Sequence, residues 1–333
     1  WMWGPLLRLK PQLPAPAPLP QSPFAGPSVI GYYLHDPRRT GLLASLRGTL
    51  EAISVWAWRL TPDGQLAWEI DPQEMSRVAS LARSLGMQMY ALVHNFQGDA
   101  FDANLAHAVL TDPDASRQAV QQIARQAARL QLAGITLDLE NVRPADRQAL
   151  ARFVRELAAA LHGQGMRLAV AVPARTRDLP ADAYDYGALG STADQLWLMT
   201  YDQHYRTGPP GPVASVEWVE QVVRYAVSRV APSRVVLGLP AYGYAWQEGA
   251  PQARGLTYAQ AMAELRSSGA TLRWHPVHRT PYFVTSQGTQ VWFEDRFSAA
   301  FKLALVRRYR LGGVAVWRLG QEDPGLWELV RRL

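Results

Sequence analysis

Residues 134–142 read GITLDLENV. The run is apolar and β-rich, yet Asp138 and Glu140 stand two positions apart inside it. Side chains alternate faces along a strand, so Leu137 and Leu139 point one way and Thr136, Asp138 and Glu140 the other. Burying an unpaired carboxylate is too costly to be incidental, so each acid needs a partner, a shifted pKa or a solvent-reached pocket. A salt bridge inside the fold would satisfy one stray acid. Two acids on one face, at the end of a strand, point instead to a sheet with a wet interior.

The surrounding sequence supplies that sheet. Strand candidates occur at 28–33 (SVIGYY), 51–58 (EAISVWAW), 87–93 (MQMYALV), 134–140 (GITLDLE), 167–174 (RLAVAVPA), 195–202 (QLWLMTYD), 234–244 (RVVLGLPAYGY) and 312–320 (GGVAVWRLG). Helical spacing appears between them. Met75, Val78, Leu81 and Leu85 form one stripe before Gly86; Val120, Ile123, Ala127 and Leu130 form a second; Leu150, Phe153, Val154, Leu157 and Leu161 form a third. A further helix is expected near 216–228. Near-continuous apolar strands alternating with helices imply a parallel sheet covered on both faces. Eight such units in this length predict an α/β fold of the (β/α)8 TIM-barrel type. No Gly-rich phosphate loop follows the first strand, which removes the main reason to prefer a dinucleotide-binding sheet. Residues 247–293 break the rhythm with a helix at 257–265 and short β-like pieces, and are read as a small α+β insertion between strands seven and eight. The barrel is thus placed at 28–333. Residues 1–27, rich in Pro and Ala from Pro11 onward, read as an extended N-terminal tether to whatever lies upstream.

Composition narrows the function classes. The net charge of +6 rests on arginine, because Lys10 and Lys302 are the only lysines among 34 basic residues. The arginines are scattered singly or in pairs with no basic tract, so no nucleic-acid partner is expected. A basic surface still attracts a polyanionic matrix non-specifically. No apolar run approaches the roughly 20 residues of a membrane span. The absence of cysteine excludes disulfides, thiol catalysis and Cys-based metal sites.

Within a barrel, strand C-termini form the mouth where the chemistry is placed. Glu140 is read there as the last residue of strand four, with Asp138 one inward step deeper, about 6–7 Å along the strand. Two close carboxylates raise the pKa of at least one of them. That keeps a Glu protonated near neutral pH, ready to act as a general acid.

These stretches resemble glycoside hydrolase family 18. AGITLDLENV is similar to the family's fourth-strand DGxxxDxE signature, in the form found in bacterial spore-cortex and cell-wall N-acetylglucosaminidases. LMTYD (198–202) resembles the sixth-strand MxYD, GLPAYGYAW (238–246) the seventh-strand motif, and VWFEDRFSAAFKLALVRRYRLGGVAVWRLGQEDP (291–324) the C-terminal block with the eighth-strand Trp. The resemblance implies retaining hydrolysis in which the sugar's own acetamido oxygen is the nucleophile, an exception to the two-carboxylate scheme. It implies that Glu140 protonates the glycosidic oxygen and then activates water. Asp138 would orient the acetamido N–H, and Tyr201 would hydrogen-bond the acetamido oxygen. Trp317 would form the floor under the sugar. Met199 and Asp202 would line the same pocket. Two departures stand out: Ala133 replaces the usual first Asp, and Thr136 stands where chitinases keep Asp. Thr136 can donate a hydrogen bond to Asp138 but cannot carry the charge.

Tyr32, Asn95, Tyr242 and Trp246 lie near strand ends and are candidates for contacts with further sugars. His94 invites a metal or acid-base reading. The other histidines, at 35, 107, 162, 204, 275 and 278, have no metal-ligand spacing, so neither a metal nor another cofactor is expected. His275 and His278 are assigned to the surface of the insertion.

Three functions follow from these readings. The first is an N-acetylglucosaminidase acting outside the cytoplasm on β-1,4 bonds of peptidoglycan, with spore cortex as one source. The second is a hydrolase of chitin or chitooligosaccharides. The third is a sugar-binding barrel without catalysis, and the presence of Glu140 argues against it. LENV and LGQEDP lean toward the first, as does the basic surface. All three take a polysaccharide containing N-acetylglucosamine.

Overall fold

A computed structural model describes residues 26–36 and 41–333. Of the tether assigned to 1–27, residues 1–25 lie outside the described residues. Eight parallel strands are labelled β1 (Ser28–Tyr33), β2 (Ala52–Leu60), β3 (Gln88–His94), β4 (Gly134–Asp138), β5 (Arg167–Pro173), β6 (Gln195–Met199), β7 (Val235–Pro240) and β8 (Gly313–Trp317). Each pairs with the next, and β1 pairs with both β2 and β8, which closes the barrel. A short strand, Leu66–Trp68, adds antiparallel to the outer end of β2.

The expected helical stripes face the sheet. Helix Pro113–Arg129 starts at Asp112, whose carboxylate accepts from the Asp114 and Ala115 N–H groups, and buries Val120, Ile123 and Ala127. Helix Arg147–His162 buries Leu150, Phe153, Val154, Leu157 and Leu161. These side chains form one continuous core with Ile135, Leu137 and Leu139 of the β4 region, so the alternate positions on β4 face the barrel interior. Gly134 opens β4 where strands crowd, since a Cβ there would sit 2.4 Å from the Arg167 carbonyl oxygen.

Three differences from the sequence reading at strand ends bear on the site. β4 stops at Asp138, so Glu140 lies just beyond the ladder and not within it. β6 stops at Met199, and the chain turns through Tyr201 to Asp202, whose φ is 55°. The 234–244 segment is two strands. β7 ends at Pro240, Ala241 donates its N–H to the Trp317 carbonyl, and Tyr242–Trp246 leaves to join another sheet.

That sheet belongs to the insertion. Its five antiparallel strands run in the order Arg254–Thr257, Tyr242–Trp246, Gln290–Phe293, Thr280–Val284, Arg273–His275. Helix Tyr258–Ser268 begins with a Thr257–Gln260 capping box and ends at left-handed Gly269. One face of the sheet packs Ala245, Leu256, Phe283, Val291 and Phe293 with Ala261 of this helix. The other carries Tyr242, Tyr244, Trp246 and Trp292, and packs against Tyr201 and Trp317 at the barrel mouth. The insertion is therefore a wall of the cleft. Among the described residues no helix is long and apolar enough to cross a membrane.

Candidate active site

The C-terminal ends of the strands surround a cleft of about 1080 Å³. Asp138, Glu140, Met199, Tyr201, Asp202, Trp317, Tyr32 and Tyr242 all line it. Alternation alone puts Thr136 and Asp138 inward on β4. The position of Glu140, past the end of the ladder, needs a separate explanation.

A clamp on its backbone supplies one. Asn95, the residue after β3, donates from Nδ2 to the Glu140 carbonyl at 2.8 Å, and its Oδ1 accepts from the Glu140 N–H at 2.9 Å. The same amide also donates to the Asp102 carbonyl. Tyr184 Oη holds the flanks, donating to the Leu139 carbonyl at 2.8 Å and accepting from the Val142 N–H at 3.3 Å. Glu140 thus leaves a hydrogen-bonded frame with its side chain half-buried in the cleft.

Asn95 is accordingly not a sugar contact, contrary to expectation. It is 0 % exposed and its amide is spent on backbone. Trp246 is likewise absent from the cleft lining, because its indole N–H donates to the Gly208 carbonyl at 3.0 Å and its ring packs edge-on against Tyr244. Thr136 does not serve Asp138 either. Its hydroxyl accepts a hydrogen bond from the Ser54 hydroxyl at 2.9 Å, across the barrel interior.

The acids themselves lack compensation. Asp138 is 5 % exposed and its Oδ1 has no hydrogen-bond partner. Burial raises its pKa well above the carboxylate range. Burial also raises that of Glu140, helped by the negative charges of Asp138 and Asp202. The pair as a unit therefore holds a proton well into the pH range where an ordinary carboxylic acid has lost it. Asp202 is better served: Tyr242 Oη donates to its Oδ1 at 2.5 Å and Tyr244 Oη at 2.9 Å. Burial still raises its pKa, against the pull of these two donors.

Aromatic rings form the floor and walls. Trp317 ends β8, and Tyr32 stands edge-on to it at 5.0 Å. Tyr201 lies nearly parallel to it, at 20° and 6.4 Å, and Trp56 flanks it at 6.0 Å. Such faces suit the apolar side of a pyranose ring. Trp56, Tyr244 and Tyr184 went unnoticed in the sequence. Tyr244 shares the face of Tyr242 and could have been found by alternation. Trp56 is obscured by the irregularity between Trp56 and Trp58 in the β2–β3 register. Tyr184 sits in a loop between β5 and the next helix, where nothing local marks it. Among the described residues no group of three metal-ligating side chains occurs.

Comparison with known proteins agrees with this architecture. Residues 92–322 match the sequence model of Glycosyl hydrolases family 18. The cortical fragment-lytic enzyme of Bacillus subtilis is 28% identical over 268 residues, covering 77% of this chain and 62% of that protein. The crystal structure of the Bacillus cereus spore cortex-lytic enzyme SleL superposes with a TM-score of 0.82 at 25% identity, covering 92% of this chain and 73% of the other. A chitinase from Chromobacterium violaceum gives a TM-score of 0.84 at 32% identity, covering 92% and 98% of the two chains.

Proposed function

Because this chain belongs to glycosyl hydrolase family 18, and is a glycosidase, we propose that it cleaves β-1,4 bonds next to N-acetylglucosamine in peptidoglycan, outside the cytoplasm. One observation carries the reading: an uncompensated Asp138–Glu140 pair opens onto an aromatic-floored cleft at the barrel mouth.

The chemistry follows from protonation and placement. Glu140 enters the reaction protonated, as its burial and acidic neighbours favour. It gives that proton to the glycosidic oxygen while the acetamido oxygen of the −1 sugar attacks C1, and the C1–O bond breaks. Asp138 accepts the acetamido N–H and, as an anion, stabilises the positive oxazolinium-type intermediate. Tyr201 donates its hydroxyl proton in a hydrogen bond to the acetamido oxygen and so aims it at C1. Trp317 supports the sugar from below, with Met199 and Asp202 beside it. The Glu140 carboxylate then takes a proton from water as that water attacks C1. The acetamido group is restored and the configuration is retained. Both carboxylates project from the same end of β4, Asp138 as its last residue and Glu140 just beyond it, which suits this substrate-assisted course better than attack from opposite faces of the ring.

The names of the cortex-lytic relatives and the basic net charge support peptidoglycan, spore cortex in particular. The 32% identity to a chitinase supports a second reading, hydrolysis of chitooligosaccharides in the same groove. The test incubates the protein and its Glu140→Gln variant with purified cortex peptidoglycan and with chitooligosaccharides, identifying products by mass and reducing end. Release of fragments ending in reducing N-acetylglucosamine from peptidoglycan, by the unaltered protein only, is the expected result. Cleavage of chitooligosaccharides alone moves the assignment to the chitinases. If neither is cut and both proteins bind sugar equally, the barrel is a lectin.

A further inference from the structure

The interior of the barrel mouth holds two buried polar atoms without partners. One is Asp138 Oδ1, the other His94 Nε2. They belong to side chains paired directly across the β3–β4 ladder, where His94 registers with Asp138. Partnered residues on adjacent parallel strands project to the same side. Tyr90 and Leu92, four and two positions before His94, both belong to the apolar cluster of the barrel interior, so His94 faces inward as Asp138 does. Two unsatisfied groups on neighbouring inward positions are an unusual coincidence, because buried polar atoms are nearly always paired.

The chemistry of the two atoms is complementary. His94 Nδ1 accepts a hydrogen bond from the Phe96 N–H at 3.1 Å, so the ring proton of the neutral imidazole is on Nε2. The orphan nitrogen is therefore a donor and the orphan oxygen an acceptor. The ring is held in plane by Trp56, stacked on it at 4.1 Å and 29°. Burial, reinforced by the Arg59 charge, holds the His94 pKa down to about 3, so the imidazole stays neutral through the working pH range. Around the pair stand Arg59 on β2, Tyr32 on β1, Glu140 beyond β4, and Tyr201 and Asp202 beyond β6.

We propose that His94 is a positioning residue for Asp138, its Nε2–H donating to Oδ1 once Asp138 carries the charge that faces the developing oxazolinium. This rests on the role given to Asp138 above. It also says what takes the place of a neighbouring acid on β4, because Thr136 makes no hydrogen bond to Asp138 and Oδ1 is left without a partner. Burial disfavours the Asp138 anion, so the form that faces the intermediate is the one in want of a donor, and Nε2–H supplies it while Glu140 keeps the proton of the pair. A hydrogen bond to the charged form favours that form, so losing it raises the Asp138 pKa.

The test compares His94→Phe, which keeps the stack and removes the donor, with His94→Gln, whose side-chain N–H can reach the same place. On a soluble chitooligosaccharide or muropeptide, His94→Phe is expected to lower kcat on the order of 10²-fold with KM little changed. It should also move the acidic limb of the pH–rate profile to higher pH, while His94→Gln restores most of both. A second measurement is independent of turnover. Carboxyl ¹³C NMR titration, with Asp138→Asn to assign the signal, is expected to show the Asp138 midpoint higher in His94→Phe than in His94→Gln. Equal midpoints in the two folded variants, or kinetics of His94→Gln indistinguishable from His94→Phe, overturn the inference. If the protein cleaves neither substrate while the midpoints still separate, the proposed function fails and the His94–Asp138 contact stands.

Discussion

Two of the places where this molecule buries acids have opposite surroundings. Glu294, at the root of the insertion, is 3 % exposed, and its Oε2 accepts from Lys302 Nζ at 2.7 Å and from the Ser298 hydroxyl at 2.6 Å. Lys302 is 0 % exposed and is one of only two lysines in the chain. Asp138 and Glu140 are set among aromatic rings with acidic neighbours and, among the described residues, no paired cation; an unpartnered oxygen occurs at both places, Asp138 Oδ1 and Glu294 Oε1. Burial pushes all three carboxyls upward in pKa, but only Glu294 has a cation to resist it. A charge compensated where it is buried ties two elements together. One left uncompensated beside an opening is available to a substrate.

The largest contrast should come from removing the acid itself. Glu140→Gln is expected to cut hydrolysis about 10⁴-fold, roughly 5.5 kcal/mol of transition-state stabilisation, with no loss of thermal stability. Product release from cortex fragments and a melting curve on the same sample check both halves. A variant that melts earlier and keeps its activity would make Glu140 a structural acid like Glu294.

Lys302→Met attacks the compensated pair. It leaves Glu294 buried without its cation, and a loss of about 3–5 kcal/mol in urea unfolding is expected. Adding Glu294→Leu should recover most of that, since apolar replacement of both partners of a buried pair is often near neutral. Hydrolysis per folded molecule should be unchanged throughout. Failure of the double variant to recover would mean that the pair supplies more than mutual compensation.

The pH dependence of stability sharpens the same contrast. The folded-state pKa values of Asp138 and Glu140 lie above those of the unfolded chain. Between the two, the native state binds more protons, so their burial costs increasing stability as pH rises from about 4 through the folded-state values. Asp138→Asn removes that cost for one group. Its stability relative to the unaltered protein should be near zero at pH 4 and reach about 2–4 kcal/mol in its favour at pH 8. Melting curves across that range decide it, and a difference that is flat with pH would refute uncompensated burial.

Alternation on GITLDLE made much of the site legible, because strand periodicity carries inward and outward facing without any tertiary information. The eight-strand rhythm did the same for the barrel, whereas the turn through Tyr201 and Asp202 was hidden, because 195–202 reads as one unbroken strand. What the sequence hid are contacts between distant segments. Asn95 reads as one more polar residue at a strand end, and only the meeting of β3 with the end of β4 turns its amide into the clamp on Glu140. Trp246 reads as a cleft aromatic until the Gly208 carbonyl is found beneath its indole. The seventh strand ran too far in the reading because YGY is β-forming in either sheet. Pairing partners, not propensity, assign it to the insertion.

The smallest effect concerns Asp202, which stands between the two extremes: open to the cleft on one side and without an ion pair among the described residues, yet hydrogen-bonded by two tyrosines. Tyr244→Phe removes one donor and leaves that of Tyr242, a change of about 1 kcal/mol favouring the protonated carboxyl. Asp202 then stays neutral to higher pH. Its negative charge is one of the influences that raise the Glu140 pKa, so neutralising it allows Glu140 to lose its proton earlier. The basic limb of the kcat/KM profile, which reports the loss of that proton in the free enzyme, should move to lower pH by a few tenths of a unit. The acidic limb should stay nearer its original place. A basic limb that moves upward, or does not move in the Tyr242→Phe/Tyr244→Phe double variant, would detach Asp202 from the acid. The charge on Glu140 would then be governed by burial and Asp138 alone.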